Sequence, residues 1–204
     1  IINTELNEAV KTFNASGGGA LLLDVNSGDI ISLVSLPNFN INQRTSIKDE
    51  KYINKITKGI YELGSIFKTF TLAAAFDSKI VEPQTEFIDL PKSIKCDRYK
   101  IGEYDDDIPS NLTAEQILVR SGNIGSVRIA QKIGPEKFKS FLEKVGILRN
   151  IDFDIEEVAP QKNYEFGKCK LATASYGHGI ATTILQLAKG YAILSNGGFE
   201  INPT

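Results

Sequence analysis

The sequence predicts an α+β domain, and three observations carry that reading. A helical period opens the chain, two apolar runs divided by turn residues follow, and the remainder is mostly helical segments, with no βαβα alternation. The 204 residues, 42% hydrophobic and 24% charged, suit one compact core. They read as a single domain over 1–204, with an N-terminal helix and hairpin (4–35) and a mainly helical lobe (65–198).

Thr4 to Asn14 places Leu6, Val10 and Phe13 at helical spacing. Gly17-Gly18-Gly19 leads into the apolar run Ala20 to Val25. Asn26-Ser27-Gly28-Asp29 is turn chemistry, and Ile30 to Ser35 is a second β-rich run, so the pair reads as a β-hairpin. Glycine loops that cradle phosphate follow a strand and open a helix; these glycines precede the strand and read as a flexible lead-in. Pro37 to Arg44 is Asn-rich and loop-like. Gly64 closes a polar connection, and Ser65 to Phe76 is apolar on all sides, which marks a buried central helix.

Residues 83–111 have little periodicity and read as one long irregular excursion. Thr113-Ala114-Glu115-Gln116 has the form of a capping box ahead of a short helix ending at Gly122. Ile124 to Ile133 is the next helix, and Pro135 opens another that ends at Gly146. Asp152 to Glu157 reads as a solvated acidic loop. Thr182 or Thr183 caps a last helix to about Leu194, stopped by Asn196-Gly197-Gly198.

A net charge of -2 offers no basic field for a nucleic-acid backbone, and no Lys/Arg-rich helix suggests an anionic membrane surface. No window has the apolar length to span a bilayer, and no basic-then-apolar leader is present. The absence of Met makes the sequence read as a fragment, so an anchor or leader could lie upstream of Ile1. Cys96 and Cys169 lack metal-ligand spacing. Two free, partly buried thiols are the preferred reading over a disulfide. With one His in the chain, a zinc site would need carboxylate ligands from scattered positions and is discounted.

Ser65 and Lys68 stand one helical turn apart and share a face. A serine hydroxyl attacks well only when something accepts its proton. A lysine can do so when burial disfavours its ammonium, and Lys68 sits among Ile66, Phe67, Phe70 and Leu72. The alternative is a Ser helix cap followed by an exposed lysine. In Ser121-Gly122-Asn123 the hydroxyl could relay a proton and the carboxamide could hold an amide substrate. The alternative there is an ordinary helix C-terminus.

Taken together, Ser-x-x-Lys opening a buried helix and a later Ser-x-Asn resemble the penicillin-binding protein and serine β-lactamase superfamily. Gly64-Ser65-Ile66-Phe67-Lys68-Thr69-Phe70 is similar to the nucleophile segment of class B penicillin-binding proteins. So are Ala20 to Asn40, Leu112 to Ser126, Gly134-Pro135-Glu136-Lys137, Ser175-Tyr176-Gly177-His178-Gly179, Gln186-Leu187-Ala188 and Asn196-Gly197-Gly198. The septal type is the nearest likeness.

The resemblance implies an antiparallel sheet with helices on both sides, and Ser65, Lys68 and Ser121 as catalytic residues with Asn123 binding substrate. It further implies peptidoglycan stem peptides ending in D-Ala-D-Ala as substrate, β-lactams as acylating agents, divisome partners, and no metal or organic cofactor. A bacterial cytoplasmic-membrane anchor outside this sequence, with the domain on the outer side, belongs to the same expectation. Leu63 and Ile66 depart from the family's usual Pro and Thr. The family's Lys-Thr/Ser-Gly tripeptide is absent, so the domain reads as incomplete, its last strands missing and its turnover impaired. A serine β-lactamase or a β-lactam sensor would share the nucleophile. His178 falls in a structural turn by the resemblance, and Asp105-Asp106-Asp107 reads as a solvated loop.

Overall fold

The computed structural model describes residues 1–43, 49–156, 158–159 and 164–204. Arg44 and Glu157, each at the end of a predicted loop, lie outside the described residues. In chain order, α1 (Ile2–Thr12), β1 (Gly18–Leu23), β2 (Ile30–Leu36) and the two-residue β3 (Tyr61–Glu62) come first. A 3-10 turn (Gly64–Phe67) runs into α2 (Lys68–Asp77), followed by β4 (Glu86–Phe87), β5 (Ser93–Cys96), β6 (Tyr99–Gly102) and β7 (Leu112–Thr113). Then come α3 (Ala114–Val119), α4 (Asn123–Ile133), α5 (Pro135–Lys144), α6 (Lys168–Ala174), β8 (Ala181–Thr182) and α7 (Ile184–Ser195). No described helix is long and apolar enough to cross a membrane.

These elements form two compact units. One comprises Ile1–Tyr61, Val145–Lys162 and Thr182–Thr204; the other comprises Glu62–Lys144 and Asn163–Ala181.

In the first unit β1 and β2 pair antiparallel, with Gly18 opposite Leu36 and Leu22 opposite Ser32. Gly18 and Gly19 belong to β1 and are not a flexible lead-in. A Cβ on Gly19 would stand 2.7 Å from the Ile56 side chain, which is fully buried, so the missing side chain lets the strand settle on the core. Ile56, Ile151, Phe153 and Leu185 form that core, with Leu21, Leu33 and Ile184 packed against it.

The acidic stretch is therefore only partly solvated. Phe153 is buried, and the Glu156 carboxylate accepts from Asn54 Nδ2 at 2.5 Å and Thr57 Oγ1 at 2.7 Å. Of the two cap candidates it is Thr183 that caps α7, in a capping box with Gln186, which is fully buried and also donates to the Arg149 carbonyl at 2.6 Å. Thr204 lies beside the hairpin turn, its carbonyl accepting from Ile30 N–H at 2.9 Å and its N–H donating to the Gly28 carbonyl at 3.1 Å.

In the second unit α2 is the central helix, packed by α3, α4 and α5. Phe67, Phe70, Ile117, Ile124, Phe138 and Leu142 are fully or nearly fully buried around it. The predicted irregular excursion is instead ordered by pairing. Strands β5 and β6 form an antiparallel hairpin from Ser93 opposite Gly102 to Cys96 opposite Tyr99, and β4 pairs with β7.

The hairpin also corrects the reading of the cysteines. Its first strand ends on Cys96 beside the first turn of α6, so Cys96 and Cys169 stand 5.6 Å apart at Cα and form a disulfide. That separation lies within the range a disulfide spans.

Candidate active site

Ser65 sits on the 3-10 turn just ahead of α2, not in the first turn of an α-helix. It occupies no N-cap position, so the cap alternative does not describe it. The turn leaves Ser65 exposed, while Lys68, the first residue of α2, is 1% exposed. The nucleophile candidate thus meets solvent and the amine candidate does not.

Lys68 Nζ donates to Ser65 Oγ at 3.2 Å, to Ser121 Oγ at 3.0 Å and to the Ser121 carbonyl at 2.5 Å. Three donors meet three oxygens, which is the full capacity of an ammonium. Burial nevertheless lowers the Lys68 pKa from 10.5 to about 8, the Glu103 carboxylate opposing the change. At pH 7 about a tenth of the amine is then neutral and able to accept a proton.

Ser121 reaches Lys68 because of its backbone. α3 ends at Val119, and Ser121 takes a left-handed φ of 53°, uncommon for a residue with a side chain. This turn directs its carbonyl and hydroxyl at the same amine. Gly122 is the N-cap of α4, so the tripeptide follows the end of α3 and begins the next helix; it is not an ordinary helix C-terminus. Asn123 opens α4, and its Nδ2 donates to the Gly102 carbonyl at 2.9 Å.

Ser65, Lys68, Ser121 and Asn123 all lie in one unit, where a single ammonium joins Ser65 to Ser121. Sequence reading missed Glu103, whose carboxylate accepts from the backbone N–H groups of Asn123 and Ile124 at 2.5 and 2.9 Å. Its signal was an acid directly after Ile101-Gly102, hidden once that segment was read as irregular.

Segment 175–177 fixes the nucleophile turn from below. Gly64 N–H donates to the Gly177 carbonyl at 3.1 Å, and Thr71 Oγ1 donates to the Ser175 carbonyl at 2.8 Å. Gly177 has φ 85°, and a Cβ there would lie 2.0 Å from the Gly64 carbonyl oxygen. His178 is exposed, with its ring 4.9 Å from that of Tyr176. Asp105 pairs with Arg120 at 3.7 Å, and no metal-binding cluster occurs among the described residues.

An amine held between two hydroxyls can take a proton from one and return it through the other, which is the requirement of acyl transfer from a serine. Residues 18–204 match the family described as "Penicillin binding protein transpeptidase domain". A "Peptidoglycan D,D-transpeptidase FtsI homolog" of Mesostigma viride is 31% identical over 96% of this chain and 35% of its own length. A "Probable peptidoglycan D,D-transpeptidase PenA" of Neisseria flavescens is 31% identical over 95% of this chain and 48% of its own. The chain thus spans between a third and a half of these two relatives.

Among solved structures, the apo transpeptidase domain of Burkholderia pseudomallei penicillin-binding protein 3 superposes with a TM-score of 0.82. It is 27% identical, over 96% of this chain and 55% of that one. These matches agree with the mixed helix and antiparallel-strand architecture read from the sequence.

Proposed function

The chain belongs to the penicillin-binding protein transpeptidase domain family, and from that premise we propose that it is the acyl-transfer part of a peptidoglycan D,D-transpeptidase of the septal type. Its two units are parts of one transpeptidase domain. The observation that carries this reading is the Lys68 ammonium, depressed in pKa and shared by the Ser65 and Ser121 hydroxyls.

Ser65 Oγ attacks the carbonyl carbon between the two D-Ala residues of a stem peptide. Neutral Lys68 takes the hydroxyl proton, and the Ser65 N–H supplies one donor to the oxyanion. Ser121 then passes a proton to the departing amine, the C–N bond breaks, and D-Ala leaves an ester on Ser65. Asn123 hydrogen-bonds the substrate amide through its carboxamide. The amine of a second stem peptide attacks the ester, and Ser65 leaves and recovers its proton, completing the cross-link. A β-lactam forms the same ester by opening its ring.

We place the domain outside the cytoplasmic membrane of a bacterium, with divisome proteins as partners. The Cys96–Cys169 disulfide supports an oxidising compartment.

The test is intact-mass analysis and peptide mapping after incubation with a penicillin. The expected outcome is a stable adduct on Ser65 that is lost in Ser65→Ala and forms faster as pH rises through about 8. No adduct on the wild type overturns the proposal, and an adduct gone within minutes marks a β-lactamase instead.

A further inference from the structure

Gly102 and Glu103 have no part in the steps above, yet they close around the Ser121–Asn123 turn. The Gly102 carbonyl holds the Asn123 side chain at 2.9 Å, and the Glu103 carboxylate takes both the Asn123 and Ile124 N–H groups. Those N–H groups begin α4, whose N-cap is Gly122 and offers no side chain to satisfy them. Glu103 therefore caps α4 from the end of a different element, with a negative charge where the helix dipole favours one. On the other side of the turn, Lys68 grips the Ser121 carbonyl and hydroxyl.

Taking the transpeptidase reading of the site as given, we propose that Glu103 is a positioning residue: its carboxylate fixes the Ser121–Asn123 turn against Lys68 and serves as that lysine's counter-charge. The left-handed backbone of Ser121 must be imposed by its surroundings. The ammonium holds it on one side, and Glu103 with Gly102 clamps the residues that follow. The same carboxylate works against the desolvation of Lys68, so the amine loses its proton at about pH 8 and not lower.

Other charges stand on the elements around α2. Glu115 of α3 and Lys132 of α4 are exposed, Arg128 of α4 donates to Gln131, and Glu62 accepts from Gly179 N–H. On α5, Glu136, Lys137 and Lys144 are exposed and Lys139 and Glu143 half-buried. Glu103, by contrast, is bonded to the turn whose Ser121 carbonyl and hydroxyl hold the Lys68 amine.

The experiment compares this chain with its Glu103→Gln and Glu103→Ala variants by three measurements. These are the titration of the Lys68 side chain by NMR, amide exchange at Asn123 and Ile124, and the rate of Ser65 acylation by a penicillin from about pH 6 to 10. Asn123 and Ile124 donate to different oxygens of Glu103, so Glu103→Gln keeps one of the two acceptors and loses the charge. It should preserve protection at one of the two amides while moving both the Lys68 titration and the rise of the acylation profile to lower pH. A merely structural role would leave the Lys68 titration in place.

Glu103→Ala should speed exchange at both amides and slow acylation at every pH, each by at least about tenfold. An unchanged Lys68 titration in the Gln variant, or unchanged exchange in the Ala variant, overturns the proposal. If the Ala variant does not fold, the near-isosteric Gln variant decides alone. A wild type that penicillin does not acylate refutes the transpeptidase reading, while the titration and exchange data still judge Glu103.

Discussion

Lys68 carries a cost that the rest of the fold must offset. Its charged form is disfavoured by burial, so the folded state binds its proton more weakly than the unfolded state does. Below about pH 8 the lysine is charged in both states and the full penalty applies. Between about 8 and 10.5 the unfolded state keeps its proton while the folded state has lost it, so this contribution to stability rises with pH. The span corresponds to about 3 kcal/mol. Lys68→Met should therefore be more stable than the wild type at pH 7, by about 1–2 kcal/mol, and the gain should shrink by pH 9.5. Urea unfolding at the two pH values measures this, and a gain that does not shrink would refute the assignment. The variant should form no penicillin adduct. Ser65 and Lys68 were legible because a nucleophile–amine pair one turn apart needs only local spacing. Glu103 was not legible, because its partners are backbone N–H groups twenty positions away, which no residue type announces.

At the level of elements, the nucleophile turn depends on a close approach between two backbones. Gly177→Ala would press a methyl group into the Gly64 carbonyl. It should cost about 2–4 kcal/mol and slow Ser65 labelling by about a hundredfold. Gly198 has a similar φ of 93° with nothing within 4 Å, so Gly198→Ala should cost only about 1 kcal/mol and leave labelling intact. Chemical denaturation with mass-resolved labelling separates the two, and equal labelling in both variants would refute the close-approach account. Thr183→Ala should destabilise by about 1–2 kcal/mol, because it removes the cap of α7 and a partner of the buried Gln186. The cap of α7 was narrowed to Thr182 or Thr183, and the capping box of α3 could be read from four residues. The β5–β6 hairpin could not, since its turn is Asp97-Arg98, without the glycine that usually signals a tight reversal. Asp97 nonetheless takes the positive φ, 51°, that the reversal requires.

Across the whole molecule, each compact unit is assembled from separate stretches of chain, a feature no window of sequence carries. The helical content and the first hairpin were readable because their periods are local. The disulfide was not, since its partners lie 73 positions apart and meet only through a hairpin that was itself unseen. Cys96→Ala with Cys169→Ala should lower stability by about 2–4 kcal/mol, measured by thermal or chemical unfolding; an unchanged midpoint would refute a stabilising role for the bond.

The same bond joins α6 to the hairpin whose last residue, Gly102, and its neighbour Glu103 hold the Ser121–Asn123 turn. Two preparations identical in every residue can thus differ in quality. Protein recovered from a reducing cytoplasm should carry titratable thiols and take up penicillin slowly, and protein matured under oxidation should do neither. A thiol count set beside the labelled fraction would sort batches that a gel calls the same.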